Sequence, residues 1–99
     1  MDKIYLLEIG NQDAQNILFA SKSKDVLELI MPYVEKAIKW YEKHIYDEYE
    51  DICDYVAKQN NMLQEMCPFF TQKEIDCFLN TVPNYCSINR VHVLKDVDV

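Results

Sequence analysis

The sequence is poor in the residues that build several common functional sites. Its single glycine, Gly10, cannot form the glycine-rich loop that cradles a phosphate. Its four cysteines include no C-x-x-C pair, so the signal for a structural zinc site is weak. Its apolar runs are far too short to span a membrane. We therefore expect no cofactor, no bound metal and no membrane segment.

The first residues and the cysteines bear on the cellular compartment. Asp2 and Lys3 precede a short strand-like run without a small-residue cleavage site, so no export signal is expected. Thiols stay reduced where no such signal leads to an oxidising compartment. We therefore expect a cytoplasmic protein with four free, mostly buried thiols. These are Cys53, Cys67, Cys77 and Cys86.

The composition indicates one folded domain with an acidic surface. Of the 99 residues, 49% are hydrophobic and 27% are charged, which suits one core and an ordinary polar exterior. The formal net charge of -7 disfavours direct binding to nucleic acid or to anionic membranes, both of which are negative. The same charge fits either a basic protein partner or solubility alone.

The two ends of the chain have the pattern of β-strands. Lys3–Ile9 and Asn16–Ala20 are apolar runs separated by a polar turn that begins at Gly10, which predicts a β-hairpin. Ile88–Leu94 alternates apolar and polar residues and predicts a third strand. We expect this strand to join the hairpin in one small sheet.

The middle of the chain has helical periodicity. Ser21 or Ser23 is the expected N-cap of a helix near 24–31, and Pro32 is expected to end or kink it. A second, long helix is predicted from Pro32 to about Asn60. The expected buried face of the first helix comprises Val26, Leu27, Leu29, Ile30 and Met31.

A straight helix from Pro32 to about Asn60 would span about 40 Å. This is far more than the ~13 Å radius of gyration of a compact domain this size. We therefore expect the long helix to bend, to break near Tyr46–Tyr49, or to project into a partner chain.

Thr71 and Glu74 form a capping box that predicts a short helix near 72–80. The predicted fold is a single α+β domain over residues 1–99, in which an N-terminal hairpin and a C-terminal strand form a small sheet against three to four helices, one of them long.

The second half of the long helix is predicted to carry an acidic face. Like charges three and four residues apart destabilise a helix, and acidic groups late in a helix oppose its dipole. Helix stability alone does not favour acidic residues clustered late in a helix. We therefore predict that they form either a docking face for a basic partner or a solvated face. The acidic residues are Asp47, Glu48, Glu50, Asp51 and Asp54.

Trp40 is the expected apolar anchor of that docking face. It lies beside the apolar stripe, on the same side of the helix as Tyr33, which precedes it by seven residues. Tryptophan is enriched at interface hot spots because it buries a large area with few rotatable bonds. The alternative is that other parts of the same chain cover Trp40.

Two further classes of function fit the sequence less well. Ile38, Ile45 and Ile52 recur every seven residues, as in a helix-pairing seam, and predict a homodimer as an alternative to a binding module. His44 has helical spacing to Asp47 or Glu48, the arrangement of two metal ligands. A small metal-dependent enzyme would need a third ligand that the sequence does not identify.

These features favour a protein that binds another protein and is not an enzyme. Its small size, its lack of an active site and its acid-rich face resemble, in kind only, phage or mobile-element inhibitors of host nucleic-acid enzymes, such as anti-CRISPR proteins. That resemblance implies an inhibitor or adaptor acting on a basic, nucleic-acid-handling protein.

Overall fold

A computed structural model of the chain describes residues 2–44 and 52–93. The described residues form a three-stranded sheet and three helices, so the predicted α+β fold is confirmed. In chain order the elements are β1 (Asp2–Gly10), β2 (Gln15–Ser21), α1 (Lys24–His44), α2 (Ile52–Met66), α3 (Gln72–Thr81) and β3 (Tyr85–Val93).

The sheet has the strand order β2-β1-β3, with both pairs antiparallel, as the predicted hairpin and returning strand require. The β1–β2 register shifts between Leu7 and Glu8, which is a β-bulge. At this bulge two consecutive β2 residues, Leu18 and Phe19, pack with the core. The β1–β3 register has no such shift.

The turn between β1 and β2 explains the position of the single glycine. A Cβ atom on Gly10 would lie 2.7 Å from both the Ala14 carbonyl oxygen and the Tyr85 hydroxyl oxygen. The next residue, Asn11, donates from Nδ2 to the Thr81 carbonyl at 2.7 Å and to the Val82 carbonyl at 3.0 Å. The hairpin turn is thereby fastened to the end of α3.

Helix α1 continues through Pro32, so the predicted end of a helix at this residue is wrong. A proline inside a helix removes one hydrogen bond and costs about 3 kcal/mol. Pro32 itself is exposed, while Leu27 before it and Val34 and Ala37 after it are almost completely buried. We infer that burial on both sides of Pro32 offsets the cost of continuing the helix.

A single straight helix from Pro32 to Asn60 is excluded, because α1 and α2 pack against each other. The thiol of Cys67, which follows α2, lies 3.6 Å from the carbonyl oxygen of Tyr33 in α1. Helix α2 therefore runs back toward the middle of α1. The predicted break near Tyr46–Tyr49 falls in residues 45–51, which lie outside the described residues.

The core lies between the sheet and the helices. Helix α1 packs on all three strands and α3 on β1 and β2, whereas α2 packs on the other two helices. Of the predicted seam residues, Ile38 is buried in this core, so α1 does not present it to a second chain, whereas the side chains of Ile45 and Ile52 lie outside the described residues. The largest fully buried side chains include Phe78, Leu7, Ile9, Leu27, Leu63, Ile75 and Val34.

Helix α3 begins at the predicted capping box. The Glu74 carboxylate accepts hydrogen bonds from the Thr71 backbone N–H at 2.8 Å and from the Thr71 hydroxyl at 2.7 Å. The helix ends at Val82, which has the left-handed conformation (φ 53°, ψ 62°) and donates its N–H to the Phe78 carbonyl. A β-branched residue rarely adopts this conformation.

Candidate protein-docking groove

The first half of α1 exposes apolar side chains that the sequence analysis expected to be buried. Leu29 is 72% exposed and Val26 is 49% exposed, whereas Leu27 is buried as predicted. Ile30 and Met31 are half-buried at the edge of the core. The expectation for Val26 and Leu29 was wrong because five apolar residues in six positions cover more of a helix than the stripe that faces one core.

Of these side chains, Leu29 and Ile30 border an open groove of about 570 Å³. Three of its lining residues, Leu29, Ile30 and Tyr33, come from α1 and lie three and four residues apart. The other two, Pro68 and Phe69, come from the turn between α2 and α3. We call this feature the α1 groove. All five lining residues are apolar or aromatic, as is typical of sites that bind protein side chains.

Phe69 forms a wall of the α1 groove and is held by other aromatic rings. Its ring centroid lies 6.0 Å from that of Tyr33, 5.8 Å from that of Phe19 and 5.3 Å from that of Phe70. Phe19 belongs to β2 and Phe70 is buried in the core. The wall of the groove is therefore anchored on the sheet as well as on α1.

The turn that carries Pro68 and Phe69 is fixed by hydrogen bonds as well as by packing. The amide nitrogen of Gln64 donates to the Pro68 carbonyl at 3.3 Å and to the Phe70 carbonyl at 3.0 Å. The Phe70 N–H donates to the Cys67 carbonyl at 2.9 Å. A surface that is ordered before binding loses less conformational entropy when a partner docks.

The two predicted aromatic anchors have different environments. Tyr33 is 52% exposed and lines the α1 groove. Trp40 is half-buried against the core and is not among the groove's lining residues. Its indole stacks on the His44 ring at a centroid distance of 5.0 Å, and His44 Nδ1 lies 2.8 Å from the Trp40 carbonyl oxygen.

The predicted acidic face lies outside the part of the chain that the structure describes. Asp47, Glu48, Glu50 and Asp51 fall in residues 45–51. Asp54 belongs to α2, but its side chain is outside the described residues too. The acidic face therefore remains a prediction from the sequence.

Within the described ranges, no three His, Cys, Asp or Glu side chains come together as a metal-binding group. Cys67, Cys77 and Cys86 are free thiols, while the side chain of Cys53 is outside those ranges. Burial raises the pKa of Cys67 to about 12. Burial, together with the nearby negative charge of Glu35, raises the pKa of Cys86 to about 11. These two thiols are not activated nucleophiles.

None of the described helices is both long enough and apolar enough to cross a membrane. No known protein family, curated protein or solved structure matches the chain.

Of the five groove residues, only Tyr33 is predicted from the sequence to bind a partner. The run of apolar residues at 26–31 did indicate an exposed apolar surface, because Leu27 is the one residue of that run that is almost completely buried. Pro68 and Phe69 gave no such signal. They reach the groove because α2 returns along α1, which is a tertiary contact between distant parts of the sequence.

Proposed function

We propose that this protein is a small acidic protein-binding module that docks a basic partner through the α1 groove. The observation that carries the proposal is the exposure of Leu29 and Tyr33 beside the ordered ring of Phe69. Burying one such aliphatic side chain contributes about 1.5–3 kcal/mol, which corresponds to roughly ten- to a hundredfold in affinity.

The formal net charge of -7 supports a basic partner. Opposite charge accelerates encounter and disfavours acidic competitors, while the apolar contacts in the groove slow dissociation. An inhibitor or adaptor of a nucleic-acid-handling protein is one partner class that meets this description, because the surfaces of such proteins that bind phosphate are basic. This narrower function stays a prediction from the sequence.

A displayed library of random peptides tests whether the groove binds apolar and basic side chains. The full chain is immobilised, and selected peptides are then measured against two variants. Leu29→Gln removes a groove side chain that is 72% exposed while keeping good helix propensity. Ile17→Thr makes a matched change on β2, where Ile17 is 54% exposed and outside the groove.

We expect the selected peptides to combine apolar residues at helical spacing with Lys or Arg. Their affinity should fall at least about tenfold on Leu29→Gln and stay unchanged on Ile17→Thr. Their binding should also weaken as salt rises, because exposed charges are screened. Equal binding to both variants, or peptides without basic residues, would contradict the proposal.

The acidic face is tested separately. Charge reversal of Asp47, Glu50 and Asp54 to Lys should weaken binding of the same peptides and abolish most of its salt dependence, while Trp40→Ala should lower affinity at every salt concentration. Unchanged binding by the charge-reversed variant would make the acidic face a solubility feature only.

A further inference from the structure

The two edges of the sheet differ in how well they are protected. At the β2 edge, the thiol of Cys77 in α3 lies 3.6 Å from the Ile17 carbonyl oxygen, and Asn16 Nδ2 donates to the Thr81 hydroxyl at 2.8 Å. The bulge between Leu7 and Glu8 distorts the pairing next to this edge. Bulges and covering helices are the usual devices that prevent a sheet edge from pairing with another strand.

Among the described residues, the β3 edge shows no bulge and no hydrogen bond from a helix side chain, although α1 packs on β3. β3 has nine residues, longer than the usual five or six, and pairs with β1 without a register shift. It contains no proline, and Arg90 is its one Arg or Lys residue. In the described sheet β3 pairs with β1 alone, so alternate residues direct their N–H and C=O groups away from the sheet. A long, regular edge of this kind is suited to accept another strand.

We propose that β3 pairs antiparallel with β3 of a second copy of this chain, which gives a continuous six-stranded sheet across a two-fold axis. Antiparallel pairing of two identical edges is an isologous contact, so one dimer satisfies both free edges. The proposal does not depend on the α1 groove, which lies on the other flank of α1.

Charge opposes a second copy least at this edge. Two chains of formal net charge -7 repel each other over most of their surfaces. β3 is different because Tyr85–Val93 contains no Asp or Glu and carries Arg90. The two copies therefore meet along a segment free of carboxylates, where repulsion is weakest.

A cleft between α1 and the start of β3 carries both signs of charge. It has a volume of about 270 Å³, and its lining includes Glu35, Lys39 and Glu42 of α1 together with Tyr85 and Cys86. Each copy presents this flank beside its own β3 edge, so both signs of charge lie next to the contact. A flank that carries both signs of charge suits a second copy better than a uniformly basic partner does.

The expected product is a weak dimer with a dissociation constant in the micromolar range, because an edge contact buries little area. Sedimentation velocity on the full chain, from roughly 1 to 200 µM, measures the mass against the 11.8 kDa of one chain. Hydrogen exchange over the same series locates the contact. We expect β3 amides to become more protected as concentration rises and β2 amides to stay unchanged.

Two variants each introduce one lysine, on opposite edges of the sheet. Val91 on β3 and Ile17 on β2 are 42% and 54% exposed, so neither change removes core packing. Val91→Lys should weaken the dimer at least about tenfold, and Ile17→Lys should leave it intact. Leu29→Gln in the α1 groove should also leave it intact, which separates this proposal from the proposed function.

The proposal is overturned if the wild-type chain stays monomeric over the whole concentration range. It is equally overturned if the lysine variants at both edges weaken association to the same extent, or if the added protection appears outside β3. Circular dichroism of each variant confirms that a change in mass does not reflect unfolding.

Discussion

Asn11 links the hairpin turn to the end of α3 by hydrogen bonds, and its replacement by aspartate tests how much these bonds stabilise the protein. The amide donates to the carbonyl oxygens of Thr81 and Val82, while its own oxygen accepts from the N–H groups of Asp13 and Ala14 at 2.7 and 2.9 Å. Aspartate has the same shape and keeps the two accepted bonds. It cannot donate, so both bonds to α3 are lost.

The size of the effect follows from these contacts. Each lost hydrogen bond is worth about 0.5–1.5 kcal/mol. The new negative charge also faces the negative end of the α3 dipole, which adds about 0.3–1 kcal/mol. We therefore expect Asn11→Asp to lower the free energy of unfolding by about 2–3 kcal/mol and the melting temperature by roughly 8–24 °C. Acidification should restore part of the loss, because a protonated carboxyl group can donate again.

Urea unfolding followed by far-UV circular dichroism measures this loss, with the midpoint and slope fitted together. Gln12→Glu is the matched control: it makes the same amide-to-carboxylate change on the next residue, which is exposed. Its effect should stay within about 0.5 kcal/mol. If Asn11→Asp shifts the midpoint no more than Gln12→Glu does, Asn11 does not fasten the hairpin to α3.

Three further changes test other features of the structure. Val82→Asn should stabilise the protein by about 0.5–1 kcal/mol in the same unfolding assay, because asparagine tolerates the left-handed conformation better than valine. Gln59→Met should stabilise it by about 1 kcal/mol, because the buried Gln59 Nε2 has no hydrogen-bond partner among the described residues; a loss of stability would show that this amide is satisfied. Burial raises the pKa of Cys67 to about 12 and of Cys86 to about 11 from an ordinary 9.0, so the stability that these thiols contribute is complete below pH 9, declines as pH rises above 9, and is gone once pH has passed the raised values of 11 to 12. The wild type should therefore lose more stability than Cys67→Val between pH 8 and 10.5, and equal losses would contradict the assigned burial of the thiol.

The strands and the capping box were predictable because their signals are local. Alternating apolar residues defined both ends of the chain, and Thr71 with Glu74 defined the start of α3. The helix boundaries in the middle were less predictable. Pro32 predicts a helix end from its backbone chemistry, but the buried residues on both sides of it keep α1 continuous. Tertiary packing outweighed the local preference there.

The candidate site was predictable only in part for a related reason. Tyr33 could be identified as an exposed aromatic residue on a helix flank, and it does line the groove. Periodicity wrongly predicts a buried Leu29, because it does not say which of several adjacent apolar residues faces inward. Phe69 could not be found at all, because its contact with Tyr33 depends on how α2 packs against α1.

The strand order has a consequence for how the chain folds during synthesis. β1 is the central strand, and its two partners are its nearest neighbour in sequence and the most distant strand, with Asp2 paired to Val93. At a translation rate of about 5–20 residues per second, β1 leaves the ribosome on the order of seconds before β3 is made. During that interval one side of β1 has no strand to pair with, and its apolar residues are open to contact with other chains. The sheet can close only after translation of β3, so we expect slow folding through a late, long-range step and a nascent chain that depends on chaperones until β3 arrives.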